Sequence, residues 1–153
     1  MEDVGRVVEI NISPTHELLP EAVDRVAAVP GRGLEGDRYF RDEGEPQPAR
    51  DRDLTLIATE ALQALEEEHG IVLSAAASRR NVATRGIDLN ALEGKRFVVG
   101  EVECEGIELC EPCSHLQGLT QDGVIRGLVH RGGLRAAILN GGEIAVGDQV
   151  RAL

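Results

Sequence analysis

Residues 96–109 read RFVVGEVECEGIEL, and this stretch decides the class of fold. After the pair Gly100-Glu101, apolar and polar side chains alternate, which is the pattern of a β-strand that buries one face. The stretch therefore predicts two strands, Arg96–Val99 and Val102–Leu109, joined by a tight turn. The alternation slips by one residue at Gly106, and a β-bulge at that position accounts for the slip.

Short segments of the same kind continue along the chain. Their apolar residues are mainly Val, Leu, Ile and Ala, and 18 glycines supply turns between them. The other predicted strands and apolar stretches are Val4–Ile12, Val23–Val29, Leu54–Ile57, Asn81–Thr84, Leu134–Leu139, Glu143–Val146 and Gln149–Ala152. Helices are predicted at Glu60–His69, capped by Thr59 and ended by Gly70, and at Gln121–Val129. Many short strands and few helices predict a mainly β barrel or sandwich.

Length and charge limit the classes of function. A chain of 153 residues fits one domain over its whole length, residues 1–153. A net charge of −11 argues against nucleic acid and anionic membranes as partners, because both attract clustered cations. The chain has neither an apolar run near the roughly 20 residues of a membrane span nor the basic start of a signal peptide. We therefore expect a soluble, cytoplasmic protein.

Three cysteines, an odd number, do not form a disulfide framework. Cys104 falls in a predicted strand and is expected in the core, Cys113 follows Pro112 on an exposed loop, and Cys110 is expected to be intermediate. A zinc site at Cys110, Cys113 and His115 is disfavoured, because structural zinc needs four well-spaced ligands. Nearby cations would lower the pKa of the Cys113 thiol. From the residues alone, both an inert and a reactive Cys113 stay open.

Arginines form local groups in this acidic chain. Two groups stand out, Arg79-Arg80 and Arg131 with Arg135, and they are candidates for holding a small anion. The alternative is a solvated surface of salt bridges. The residues do not decide between these readings.

Seven motifs, taken in order, resemble the MOSC family, whose members are related to the C-terminal part of molybdenum cofactor sulfurases. The resemblance covers residues 5–152. The motifs are Gly36-Asp37-Arg38, Asp53–Ile57, Arg80–Leu89, Leu92–Gly100, Glu111-Pro112-Cys113, Arg131–Ala136 and Gly141–Asp148. Each motif is weak alone, and their fixed order carries the resemblance.

The resemblance implies a partly closed β-barrel, like the small barrel domain of pyruvate kinases, with two or three short peripheral helices. It also implies sulfur transfer or binding of the molybdenum–pterin cofactor. Cys113 would carry a persulfide or ligate molybdenum, with a cysteine desulfurase or a molybdoenzyme as partner. His115 would tune or protonate the sulfur. The candidate ligands of the anionic cofactor are Arg79, Arg80, Asn81, Arg131 and Arg135.

Three further expectations accompany this hypothesis. Pyridoxal phosphate is not expected within the chain, because its only lysine, Lys95, lies in an apparent turn. A binding module without catalysis, for an anionic cofactor or a partner protein, is the first alternative. A small molybdenum-dependent reductase of N-hydroxylated compounds, as in larger MOSC relatives, is the second, although the sequence shows no iron–sulfur or flavin motif.

Overall fold

The computed structural model describes residues 4–15, 20–41, 53–110 and 131–153. Strands account for most of the regular structure in these ranges. They are β1 (Val4–Ile12), β2 (Glu21–Val23), β3 (Arg25–Val29), β4 (Gly33–Leu34), β5 (Leu54–Ala58), β6 (Val82–Arg85), β7 (Arg96–Val99), β8 (Val102–Leu109), β9 (Leu134–Ile138), β10 (Gly142–Ala145) and β11 (Gln149–Ala152). The helices there are α1 (Thr59–His69) and a 3-10 helix (Leu89–Leu92).

Seven strands close into a barrel in the order β1-β6-β5-β9-β8-β7-β11, and β11 pairs with β1 to complete the circle. Neighbouring strands are antiparallel except β5 and β6, which are parallel and joined through α1. Strand β2 extends the sheet at the end of β1, and β10, β3 and β4 form a separate small sheet. The mainly β barrel is therefore confirmed.

The barrel interior is a core of small branched side chains around one aromatic residue, Phe97. Alternate residues of each strand point inward, so that Leu54, Leu56 and Val82 are fully buried in it. Other members include Val7, Ile10, Val99, Val102, Cys104, Leu134, Ala136, Ile138 and Val150. The outward-facing residues are therefore the ones available to build a site on the barrel wall.

A register shift between Gly106 and Glu108 interrupts the pairing of β8 with β9 and confirms the predicted bulge. The bulge needs glycine, because a Cβ atom on Gly106 would overlap the backbone oxygen of Leu92. The 3-10 helix that contains Leu92 thus packs directly on β8.

Helix α1 differs from the prediction at its first residue. Ala58 is the N-cap, and Thr59 is already helical, with its hydroxyl donating to the carbonyl of Thr84 on β6 at 3.0 Å. The predicted end is confirmed, because Gly70 adopts a left-handed φ of 68°. Within the described ranges, no helix has the length and apolar character that crossing a membrane requires.

Two or three short helices were predicted around the barrel. The described ranges contain one α-helix and one 3-10 helix, whereas the predicted helix Gln121–Val129 lies outside the described residues.

The predicted stretch Val23–Val29 is divided at Asp24, because β2 pairs with β1 whereas β3 pairs with β10. The two halves thus belong to different sheets.

Candidate functional site

Cys110 and Gly133 lie together at one corner of the barrel. The backbone N–H of Cys110, just after β8, donates to the carbonyl of Gly133, just before β9, at 2.7 Å. Cys113 and His115 lie outside the described residues, between these two points. Their predicted roles therefore stay predictions, and the residues around Cys110 and Gly133 define the candidate site.

Arg80 reaches this corner from the start of β6. Its Nε donates to the carbonyl of Gly132 at 2.8 Å, and its side chain is half-buried. The terminal nitrogens of the guanidinium have no hydrogen-bond partner among the described residues, so they keep donors for an anion. We call the group of Arg80, Cys110, Arg131, Gly132 and Gly133 the Gly133 corner.

Arg131 reaches the same corner with its charge already paired. Both of its terminal nitrogens donate to the carboxylate of Glu68 in the last turn of α1, at 3.1 and 2.8 Å. The hydrogen bond and charge of Arg131 lower the pKa of Glu68, and the same bond raises the pKa of Arg131. The pair is largely solvent-exposed, so it orients Arg131 more than it stabilises the fold.

The other two arginines point elsewhere. Arg79 is buried, and its guanidinium donates to Ser13 Oγ at 3.2 Å and to the Thr15 carbonyl at 3.1 Å, beyond the end of β1. Its φ of 64° is a left-handed conformation that costs about 1–3 kcal/mol for a residue other than glycine. Arg135 lies on the outer face of β9, with Nε 3.8 Å from Glu108. Neither guanidinium has a described contact with the Gly133 corner.

Asn81 joins three strands of the barrel. Its Oδ1 accepts from the backbone N–H of Thr55 at 3.1 Å and from the Thr55 hydroxyl at 3.0 Å. Its Nδ2 donates to the Asn11 carbonyl at 3.2 Å. Of the four hydrogen bonds that an amide side chain can form, these use three, and the side chain is buried between the strands that it joins.

Two of the three cysteines are buried. Cys104 has no exposed surface, which confirms its predicted place in the core, and Cys110 is 1% exposed, so its predicted intermediate exposure is wrong. Burial, with the charges of Asp53 and Glu103, raises the pKa of the Cys104 thiol to about 12. The thiolate is the reactive form, so Cys104 is inert at neutral pH.

Alkylation of the native protein at neutral pH should therefore leave Cys104 unmodified while Cys113 reacts. The measurement is mass spectrometry of peptides after timed treatment with iodoacetamide. Replacing Cys104 with serine should leave the labelling rate unchanged, whereas replacing Cys113 with serine should remove the fast phase. Rapid labelling of Cys104 would contradict the register of β8.

A cavity of about 620 Å³ opens beside the corner. Its volume lies in the range of sites for small molecules, roughly 300–1,000 Å³. Its walls combine small apolar side chains with carboxylates, and they include Ala58, Ala61, Ile87, Leu89, Glu60, Asp88, Asn90, Arg131 and Gly133. The cavity gives space for a small reactant beside Arg131 and Gly133.

No group of three His, Cys, Asp or Glu residues that could hold a metal ion occurs in the part of the chain that the structure describes. The predicted metal ligand, Cys113, lies outside that part. Sequence analysis also missed three residues that organise the corner, namely Glu68, Gly132 and Gly133. Glu68 belongs to the acidic run Glu66-Glu67-Glu68, which gives no signal for a single partner on another segment.

Comparison with known proteins agrees with this architecture. The YUAD protein from Bacillus subtilis has a TM-score of 0.77 at 18% identity, covering 96% of this chain and 94% of its own. YiiM from Geobacillus stearothermophilus has a TM-score of 0.75 at 17% identity, covering 97% and 75%. YiiM from Escherichia coli has a TM-score of 0.70 at 17% identity, covering 97% and 69%. These low identities show the fold alone.

No match was found among curated proteins. The family model of the MOSC domain, however, matches residues 33–151, which is most of the chain. Its match extends from the glycine-rich turn at β4 to the last strand, and so includes the Gly133 corner. The chain therefore belongs to the MOSC domain family, which is linked to molybdenum cofactor-related proteins.

Proposed function

We propose that the protein is a sulfur carrier that holds a persulfide on Cys113 and delivers it toward metal–sulfur centres. The observation that carries the proposal is that Cys110 and Gly133, which flank Cys113 in the sequence, are joined by a hydrogen bond in the Gly133 corner. Arg80 bonds to the neighbouring Gly132. Three peptide units span at most about 11 Å, so the Cα atoms of Cys110 and Cys113 can be no farther apart than that. The other two cysteines are buried, so Cys113 is the thiol left for chemistry.

The corner supplies charge for a sulfur anion. The terminal nitrogens of Arg80 have no described partner, whereas the charge of Arg131 is neutralised by Glu68. A guanidinium within about 4–6 Å favours the anionic form of a neighbouring thiol. Arg80 is therefore the cation that would stabilise a thiolate or persulfide, and Arg131 would act in this way only after releasing Glu68.

The transfer step balances without an external oxidant. The Cys113 thiolate attacks the outer sulfur of a persulfide on a donor protein, such as a cysteine desulfurase. A new S–S bond forms at Cys113, the S–S bond of the donor breaks, and the donor departs as a thiolate. The cavity beside Gly133 gives room for the acceptor of the next transfer.

A molybdenum–pterin cofactor would fit the same corner in part. Its phosphate would be held by Arg80, whereas the Asn81 side chain bonds to Thr55 and Asn11, away from this corner. When bound, the cofactor would supply molybdenum redox chemistry, with Cys113 as the thiolate ligand. Arg79 and Arg135 have contacts that direct them away from this place, so the proposal does not require them.

Sulfur loading tests the proposal directly. Incubation with a cysteine desulfurase and cysteine should add about 32 Da, one sulfur atom, to the peptide that contains Cys113. The Cys113→Ser variant should gain nothing, and the Cys104→Ser variant should load normally. Loading on Cys110 alone, or an equal gain in all variants, would contradict the proposal. Molybdenum analysis of the same samples reports cofactor binding separately.

The role of Arg80 has a charge-matched control. Arg80→Gln should raise the pKa of Cys113 by about one unit, because a nearby cation is removed. Arg25→Gln removes the same charge from an exposed ion pair with Glu143 and should leave that pKa unchanged. The pH dependence of Cys113 alkylation measures both. An unchanged pKa in Arg80→Gln would mean that Arg80 only supports the backbone at Gly132.

A further inference from the structure

Two arginines lie directly opposite each other on neighbouring strands of the barrel, at the opposite end of β6 from Arg80. Arg6 on β1 is the Cα partner of Arg85 on β6, and both are exposed. Like charges at directly opposed positions of an antiparallel pair destabilise the sheet, and a bound anion would offset their repulsion. Arg85 lies five positions after Arg80 in the sequence, about 16 Å in an extended strand. The pair is therefore distinct from the Gly133 corner.

The row of donors continues onto a third strand. Gln149 on β11 is the Cα partner of Arg6 on its other side. Gly5 and Val7 are buried on either side of Arg6, so the Arg6 side chain points away from the core. Directly opposed side chains share a face of the sheet. Arg85, Arg6 and Gln149 thus present two guanidinium groups and an amide in one line on the outer wall.

The chain carries many carboxylates, yet neither arginine of this pair is neutralised. Within the described ranges, Arg6 and Arg85 form no ion pair, whereas Arg25, Arg38, Arg41, Arg96, Arg131 and Arg135 each have a carboxylate within 4 Å. Arg32, Arg80 and Arg151 also lack a carboxylate within 4 Å among the described residues, so the pair is distinguished by the direct opposition of its two charges. That opposition favours a bound anion as their partner.

The three side chains line a cavity of about 470 Å³ whose other walls are largely backbone. Its lining also includes Val4, Gly5, Gly86 and Gly147. At Gly5 the close approach is obligatory, because a Cβ atom would lie 2.6 Å from the Arg85 carbonyl oxygen. At Gly147 a Cβ atom would meet nothing within 4 Å, so the cavity is open on that side to a ligand.

We propose that Arg6, Arg85 and Gln149 form a second binding site, for a phosphate group carried by a small molecule. Two planar guanidinium forks match the oxygens of a phosphate in bidentate geometry, and two positive charges balance a dianion. A monocarboxylate supplies half the charge and fewer acceptor oxygens. A polyanion such as nucleic acid is disfavoured by the overall negative charge, so the ligand is small.

Phenyl phosphate and benzoate are the matched probes, because they share the ring and differ in the anionic group. Titration followed by NMR of the backbone amides should give saturable shifts at Gly5, Gly86 and Gly147 with phenyl phosphate and weaker ones with benzoate. Arg6→Gln and Arg85→Gln should each weaken phenyl phosphate binding about tenfold or more, since each removes a charged hydrogen-bond donor. Inorganic phosphate should compete.

Arg25→Gln is the control, because it lowers the net charge equally and lies outside the cavity. Equal affinity in all variants, or equal weakening by Arg25→Gln, would overturn the proposal.

Melting temperature gives an independent readout of the like-charge pair. Without phosphate, Arg85→Gln should melt higher than the parent protein, and saturating phenyl phosphate should remove that difference. A lower melting temperature in both conditions would show that Arg85 only supports the sheet.

Discussion

Replacing Asp53 with alanine should destabilise the fold by about 3–5 kcal/mol, the largest effect of any single substitution considered. Asp53 is 2% exposed, and its Oδ1 accepts from Arg41 Nη2 at 2.6 Å. Its Oδ2 accepts from the backbone N–H of Ile138 at 3.1 Å. Without the carboxylate, the buried guanidinium of Arg41 loses this ion pair, and the backbone N–H of Ile138 in β9 loses this hydrogen bond. Urea denaturation measures the loss.

Two comparisons isolate the buried ion pair. Glu143→Ala breaks the exposed pair with Arg25 and should cost less than about 1 kcal/mol. Adding Arg41→Met to Asp53→Ala should recover part of the loss, since the buried positive charge is then gone. A loss near that of Glu143→Ala, or strictly additive effects of Asp53 and Arg41, would contradict the assigned pairing.

The second large effect is expected at Gly133, where alanine should cost more than about 2 kcal/mol and should disturb the candidate site as well. Gly133 has a φ of 116°, and a Cβ atom there would overlap the carbonyl oxygen of Leu56 in β5. The backbone before β9 must therefore move. That movement would pull Gly132 away from Arg80 and the Gly133 carbonyl away from Cys110.

Gly147→Ala is the matched control for Gly133→Ala. Gly147 has a similar positive φ of 96°, but a Cβ atom there meets nothing within 4 Å. Its cost should be that of the backbone conformation alone, so the difference between the two variants measures the overlap with Leu56. Both unfolding free energy and sulfur loading of Cys113 should be measured. Equal costs, with normal loading of Gly133→Ala, would show that the corner tolerates a side chain.

Much of the fold was predictable because its signal is local. The bounds of β1, β7, β8 and β11 agree with the predicted strands, and the bulge at Gly106 followed from a slip in alternation. The division at Asp24 was not predictable, since it depends on which distant strands pair with β2 and β3. The start of α1 was missed for a related reason, because the Thr59 hydroxyl bonds to the Thr84 carbonyl on another strand and the helix has no side-chain cap.

The candidate site was predictable only in outline. Sequence order alone treats Arg79, Arg80 and Asn81 as one group, but their side chains go to three places. The left-handed φ of Arg79 turns the chain there, and an arginine gives no sequence signal for that backbone conformation. Likewise, a carboxylate partner such as Glu68 emerges only when α1 folds back beside the start of β9. Charges predict that pairs will form but do not predict which ones.

Closure of the barrel by β1 and β11 has a consequence for how the chain folds. Val4 pairs with Arg151, so this seam joins residues at opposite ends of the sequence. Contacts between such distant residues bring a large loop-closure entropy and slow folding. During synthesis, β1 emerges first but lacks its last neighbour until β11 is made. The order of translation therefore leaves an open sheet edge on the nascent chain until β11 has been made.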